Sequence, residues 1–89
     1  MFKREDAIKA IGEERDYQNN LKKAKDKYNE LDYEKSIADF LVFIEYHLTR
    51  AKIGIYHLDE AQALDEVRKI GALTVACMET HGIIWRDKK

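Results

Sequence analysis

The sequence predicts an all-α fold: a small bundle of three helices, or four if a short basic segment forms its own. The last two main helices are expected to form an antiparallel hairpin, and the bundle to assemble as a homo-oligomer. Three observations lead there. The 89 residues contain no proline and only four glycines, so little interrupts a helix. Apolar residues recur at spacings of three and four over most of the chain. Between Ile70 and Met78 the only polar residue is Thr74, and a helix that is apolar on every side is a buried helix. That run is too short to cross a bilayer. A chain this small builds a modest core, so part of the wrapping around the run is expected to come from other copies.

The first helix is expected over about residues 2–18. Arg4, Ile8, Ile11, Arg15 and Gln18 share one face, apolar at Ile8 and Ile11 and polar afterwards. Polar groups on a core-facing stripe need partners, so Arg15 and Gln18 are expected either to reach the rim of the bundle or to line a site. Leu21, Ala24, Tyr28 and Leu31 keep helical spacing, so residues 21–31 are either a further helix or a basic segment carrying Lys22, Lys23, Lys25 and Lys27.

The next helix is expected over 34–57, capped by Asp32 or Ser36. Ser36 and Asp39 have the spacing of a capping box with Asp in place of Glu. Ile37, Phe40, Leu41, Ile44, Leu48, Ala51 and Ile55 read as its buried stripe. Val42, Tyr46, Ile53 and Tyr56 lie on another side, suited to a subunit contact or a protein partner. Asp59 and Gln62 have capping-box spacing for a helix over 59–81, after a connection short enough to force an antiparallel hairpin. Gly82 reads as the residue that ends it. The tail, 82–89, carries Ile83, Ile84, Trp85 and Arg86, whose apolar members are expected to fold back on the bundle. The whole chain, 1–89, reads as one domain.

Sixteen basic against 17 acidic residues give a net charge of −1, which argues against general nucleic-acid binding. The single Cys77 lies in the apolar run and is read as a small buried hydrophobe. The opening Met1–Asp6 lacks the apolar core of a signal peptide, so the expectation is a cytoplasmic protein with no membrane association.

Metal-dependent hydrolysis is the first chemistry to weigh. MazG-type nucleoside triphosphate pyrophosphohydrolases hold Mg²⁺ with paired glutamates, a third glutamate one turn on, and a Glu-x-x-Asp on a later helix. Glu13, Glu14 and Asp16 resemble half of such a site. Tyr17 stands where the third glutamate would be, and the later helices carry no Glu-x-x-Asp. His47, His57 and His81 lack chelating helical spacing, and no phosphate loop or nucleophile motif is present.

Anion recognition fits better. Arg15, Arg50, Arg68 and Arg86 are spread along the chain, and Tyr17, Tyr28, Tyr46, Tyr56 and Trp85 supply aromatic faces near several of them in sequence. Arginine binds phosphate in bidentate fashion, and aromatic rings stack on bases. The plain alternative is ordinary surface pairing at i,i+4, such as Glu14 with Gln18 and Asp65 with Lys69.

The strings Glu14-Arg-Asp-Tyr-Gln18 and Arg68-Lys-Ile-Gly-Ala-Leu-Thr-Val-Ala-Cys-Met-Glu-Thr-His-Gly82 resemble a group of small helical proteins encoded by bacteriophages. That group has a Glu-Arg-x-Tyr-Gln opening, an aromatic-rich middle helix and a closing helix ending in Met-Glu-x-His-Gly. A Trp-Gly pair often follows the opening motif there, where this chain has its lysine-rich segment. The resemblance implies a phage accessory protein acting in the host cytoplasm. It is similar in kind to sponges that sequester nucleotide signals of bacterial immunity. It also implies that Arg15, Tyr17 and Gln18 share a site.

The resulting expectation is a non-enzymatic, homo-oligomeric protein that binds a small phosphorylated ligand and needs no cofactor. Arg15, Arg68 and Arg86 would contact phosphate, Tyr17 and Trp85 would stack on a base, and Gln18 and His81 would supply hydrogen bonds. The alternatives are the Mg²⁺-dependent pyrophosphohydrolase and a helical module that inhibits a host protein.

Overall fold

The computed structural model describes residues 1–24 and 35–87, with side chains from Leu21 to Ala24 outside that description. It consists of three helices: α1 (Arg4–Ala24), α2 (Ile37–Tyr56) and α3 (Glu60–His81). No strand occurs among the described residues. Both α1 and α2 pack on α3, which is therefore the central element. No described helix is long and apolar enough to cross a membrane.

Local chemistry explains the boundaries. Ser36 caps α2: its hydroxyl accepts from the Asp39 amide at 3.0 Å, and its own amide donates to the Asp39 carboxylate at 2.8 Å. That is the expected capping box, and it satisfies donors that a helix start leaves unpaired. The Ser36 hydrogen bonds hold the Asp39 carboxyl below its usual range. At its other end α2 stops where Leu58 turns into the left-handed region, φ 60°. The Asp59 amide then donates back to the Gly54 carbonyl at 2.8 Å. The Asp59 side chain accepts from the Gln62 amide at 3.0 Å and starts α3. Gly82, at φ 108°, ends α3 with its amide on the Met78 carbonyl.

The hairpin of α2 and α3 holds most of the core. Its α2 stripe is Phe40, Ile44, His47, Ala51 and Gly54, spaced four, three, four and three. Phe40 is completely buried. A Cβ on Gly54 would lie 3.1 Å from both the Ala63 amide nitrogen and the Asp59 carbonyl oxygen. The lack of a side chain there is what lets the two helices close up beside their turn.

The α1–α3 contact is built differently. A Cβ on Gly71 would stand 2.8 Å from Cδ1 and Cγ1 of Ile11, so Ile11 seats over the bare backbone of α3. Beyond that point the seam is ionic: Arg15 Nε donates to Glu79 at 3.0 Å, and Arg68 Nε donates to Glu14 at 2.8 Å.

Several expectations are corrected. The first helix runs past residue 18 to Ala24, so Leu21–Ala24 belong to it. The rest of the 21–31 segment, and the side chains of the lysine cluster, fall outside the described residues. The Ile70–Met78 run is not buried on every side. Ala72 and Ala76 are buried, Leu73, Val75 and Cys77 are half-buried, and Met78 is exposed. Two neighbouring helices cover only part of a third.

Ile37, Leu41, Leu48 and Ile55 are exposed rather than core. The true stripe is rotated from them and takes in His47 and Gly54, which a purely apolar reading passes over. The tail does not fold back: Ile84 is 98% and Trp85 79% exposed.

Large apolar residues occur on more than one side of α2. Phe40, Ile44 and Ala51 face α3, Leu41, Leu48 and Ile55 occupy one flank, and Val42, Tyr46, Ile53 and Tyr56 occupy the back.

Candidate functional site

Two constellations of polar residues stand out, and they lie on opposite seams of α3. The first joins α2 to α3. Glu66 is 1% exposed and occupies a core position one turn after Ala63. His47 Nδ1 meets its Oε2 at 2.6 Å, Arg50 Nε donates to its Oε1 at 2.8 Å, and Lys69 Nζ stands 3.8 Å away. Burial pushes the Glu66 carboxyl up, but the hydrogen bonds from Arg50 and His47 outweigh it and hold it below its usual range. Arg50 packs against the Tyr46 ring at 5.7 Å, and its pKa is raised chiefly by the Glu66 bond. Both oxygens of this buried carboxylate are engaged by side chains of α2, with Lys69 of α3 nearby. The cluster acts as a clamp between the helices.

This clamp was missed from sequence, and one signal was available. His47 sits on the Phe40–Ile44–Ala51 stripe just as Arg15 sits on the Ile8–Ile11 stripe. A titratable residue at a core register position needs a charged partner opposite, and Glu66 is that partner.

The second constellation lies along α1 and α3. Ala10, Glu13, Glu14, Tyr17 and Arg68 line an open cleft of about 380 Å³, continued past Asp65 and Lys69 by a second of about the same size. Arg68 bonds Glu14 at 2.8 Å and Asp65 at 2.5 Å. Those two bonds raise its pKa. Asp65 also takes Lys69 at 3.1 Å, and hydrogen bonds from Lys69 and Arg68 lower its pKa. Tyr17 projects its ring beside these charges and is 58% exposed. The two i,i+4 pairs read from sequence both form, since Gln18 also donates to Glu14, at 3.4 Å.

The seven expected ligand residues do not meet in one place. Tyr17, Gln18 and Arg68 gather around Glu14. Arg15 is largely buried and turns to Glu79 and Asn19. Glu79 lies eleven residues beyond Arg68 on α3, about 16 Å along the axis. His81 sits past it, its Nε2 2.6 Å from the Lys35 carbonyl and its ring edge-on to Phe40 at 6.0 Å. Trp85 and Arg86 lie in the exposed tail.

Of the acidic trio, Glu14 is committed to Arg68 while Glu13 and Asp16 are exposed. Among the described residues no three His, Cys, Asp or Glu side chains come together as a metal site.

Charge in the cleft is close to balanced. Glu13, Glu14 and Asp65 face Arg68 and Lys69, so an added phosphate gains little unless further cations approach. The arrangement supplies an aromatic face and two cations on a seam. Comparison with protein-family models, with curated proteins and with solved structures finds no match to this chain.

Proposed function

We propose that this protein is a non-enzymatic, homo-oligomeric binder that sequesters a small phosphorylated ligand of the nucleotide class. Its place would be that of a phage accessory protein that withdraws a nucleotide signal of bacterial immunity in the host cytoplasm. The observation that carries the ligand reading is the α1–α3 cleft. It sets the exposed ring of Tyr17 beside Arg68 and Lys69. A ring that stacks on a base and cations that meet phosphate are what holding a nucleotide requires. The assembled reading is supported by the large apolar residues exposed on the flank and back of α2, since such exposure marks interaction surfaces.

Tyr17→Ala is the clean test, because Tyr17 is largely exposed and its loss leaves the ion pairs of the seam in place. Titration calorimetry with nucleoside mono-, di- and triphosphates and with dinucleotides should show one of them binding the wild type. The variant should bind it at least tenfold more weakly, about 1.4 kcal/mol, with unchanged helicity. The ligand should be recovered intact. Equal affinity of the two proteins would remove the cleft from the site, and released phosphate or pyrophosphate would turn the reading toward a pyrophosphohydrolase. Arg15→Ala is less informative than its sequence position suggests, since it also breaks the Glu79 contact.

A second reading is favoured by one observation. Val42, Tyr46, Ile53 and Tyr56 are all exposed on the back of α2, which suits a host protein partner. A stoichiometric host protein retained by the wild type and lost with Tyr46→Asp would support it.

A further inference from the structure

The α2–α3 hairpin carries an open apolar groove of about 460 Å³, lined by Ala51, Ile55, Ala63, Leu64 and Val67, with Lys52 and Glu60 at its rim. The tail after α3 presents the matching chemistry: Ile83, Ile84 and Trp85 in an extended stretch, all exposed, followed by Arg86. We propose that the Ile83–Arg86 tail of one subunit seats in the α2–α3 groove of a second copy and brings Arg86 to that copy's Tyr17–Arg68 cleft. This rests on the assembled, ligand-binding reading above and names the contact that completes its site.

Geometry excludes the tail's own groove. Leu64 and Val67 lie 18 and 15 residues before Gly82 on the same helix, about 22–27 Å back along its axis. Trp85 stands three residues beyond Gly82, a reach of roughly 10 Å when extended. Apolar groups that cannot meet within a chain can meet between chains.

Charge selects the same occupant. The groove adjoins the polar cleft around α3, because Leu64 and Arg68 are one turn apart on that helix. The groove's rim is balanced, Lys52 against Glu60, whereas Glu13, Glu14 and Asp65 outnumber Arg68 and Lys69 in the cleft. A tail that buries Trp85 in the groove therefore directs the Arg86 guanidinium toward the neighbouring cleft, whose carboxylates exceed its cations by one. There Arg86 supplies the additional cation that a phosphate requires. The contact is heterologous, tail to groove, so it repeats from subunit to subunit and closes into a ring where the rotation allows.

Trp85 is the only tryptophan, so its emission reports the tail directly. Leu64 and Ile84 are both largely exposed within the subunit, so substitutions there leave the helical fold intact, which circular dichroism verifies. In the wild-type assembly Trp85 emission should be blue-shifted. Leu64→Asp should move it to the water-exposed position and reduce the assembly's mass. Leu64→Cys and Ile84→Cys subunits, each also carrying Cys77→Ser, should form a mixed disulfide-linked pair on oxidation after mixing. An assembly in which Trp85 stays water-exposed overturns the tail contact and leaves assembly standing. A buried Trp85 that ignores Leu64→Asp, with no mixed disulfide, places the tail on another surface and overturns the groove. A wild type that is monomeric at every concentration removes both this contact and the assembled reading.

Discussion

The two seams of α3 hold their partners by different means. Toward α2 the contact is close and dry: Phe40 is wholly buried, the Gly54 backbone lies against Ala63, and Glu66 is clamped by His47 and Arg50. The connection is a tight turn capped at both ends. Toward α1 there is one apolar seat, Ile11 over Gly71, and then ion pairs whose outer members, Arg68 and Glu79, remain partly in water. Exposed ion pairs contribute little each. The hairpin is therefore the stable unit, and α1 is a charge-held strap beside it. The candidate ligand cleft lies on the strap side, where side chains can exchange partners at small cost.

Substitution in the hairpin core should have the largest effect. Phe40→Ala should cost about 3–5 kcal/mol, a large share of the stability of a domain this size, read as a lower urea midpoint. A loss under about 1 kcal/mol would place the core elsewhere. Acid should act next, also on the hairpin. The Glu66 carboxyl is held below its ordinary value of 4.5, so its contribution is fully present above that pH. It is lost as pH falls through the lowered folded value. A Glu66→Gln variant should lose stability at neutral pH and show a flatter acid limb in urea titrations.

The two glycines sharpen the contrast. A methyl at Gly54 meets fixed backbone at 3.1 Å, and Gly54→Ala should cost about 1–3 kcal/mol through overpacking. At Gly71 the obstacle is the Ile11 side chain, which can change rotamer. Gly71→Ala should therefore fall within about 1 kcal/mol of wild type, as the gain in helix propensity offsets the shift. Equal effects at the two sites would mean that the seams are equally rigid. Glu79→Ala should be smallest, about 0.2–1 kcal/mol and less in high salt. Arg15 would lose a half-exposed partner there while keeping Asn19.

The all-α architecture, the antiparallel hairpin, the Ser36 cap and the Gly82 stop were legible because each has a local cause. Capping side chains, a scarcity of breakers and helical spacing act within a few residues. Burial is a pairwise property and was less legible. The Ile70–Met78 run looked enclosed because its composition is apolar, yet only Ala72 and Ala76 are buried, where small side chains let helices approach. Leu41 and Leu48 looked like core, yet the stripe passes through His47 because Glu66 stands opposite. The candidate site was legible only as neighbours in sequence. Tyr17, Gln18 and Arg68 do gather at Glu14, while Arg15 reaches α3 three turns away and Trp85 stands largely exposed in the tail.

Native mass spectrometry of the protein purified from bacteria, followed by heat release and identification of any bound small molecule, tests the central claim most directly. The expected result is an oligomer whose mass includes a phosphorylated ligand that is recovered unaltered. A monomer carrying nothing at every concentration would contradict both the proposed assembly and the proposed site shared with a second copy.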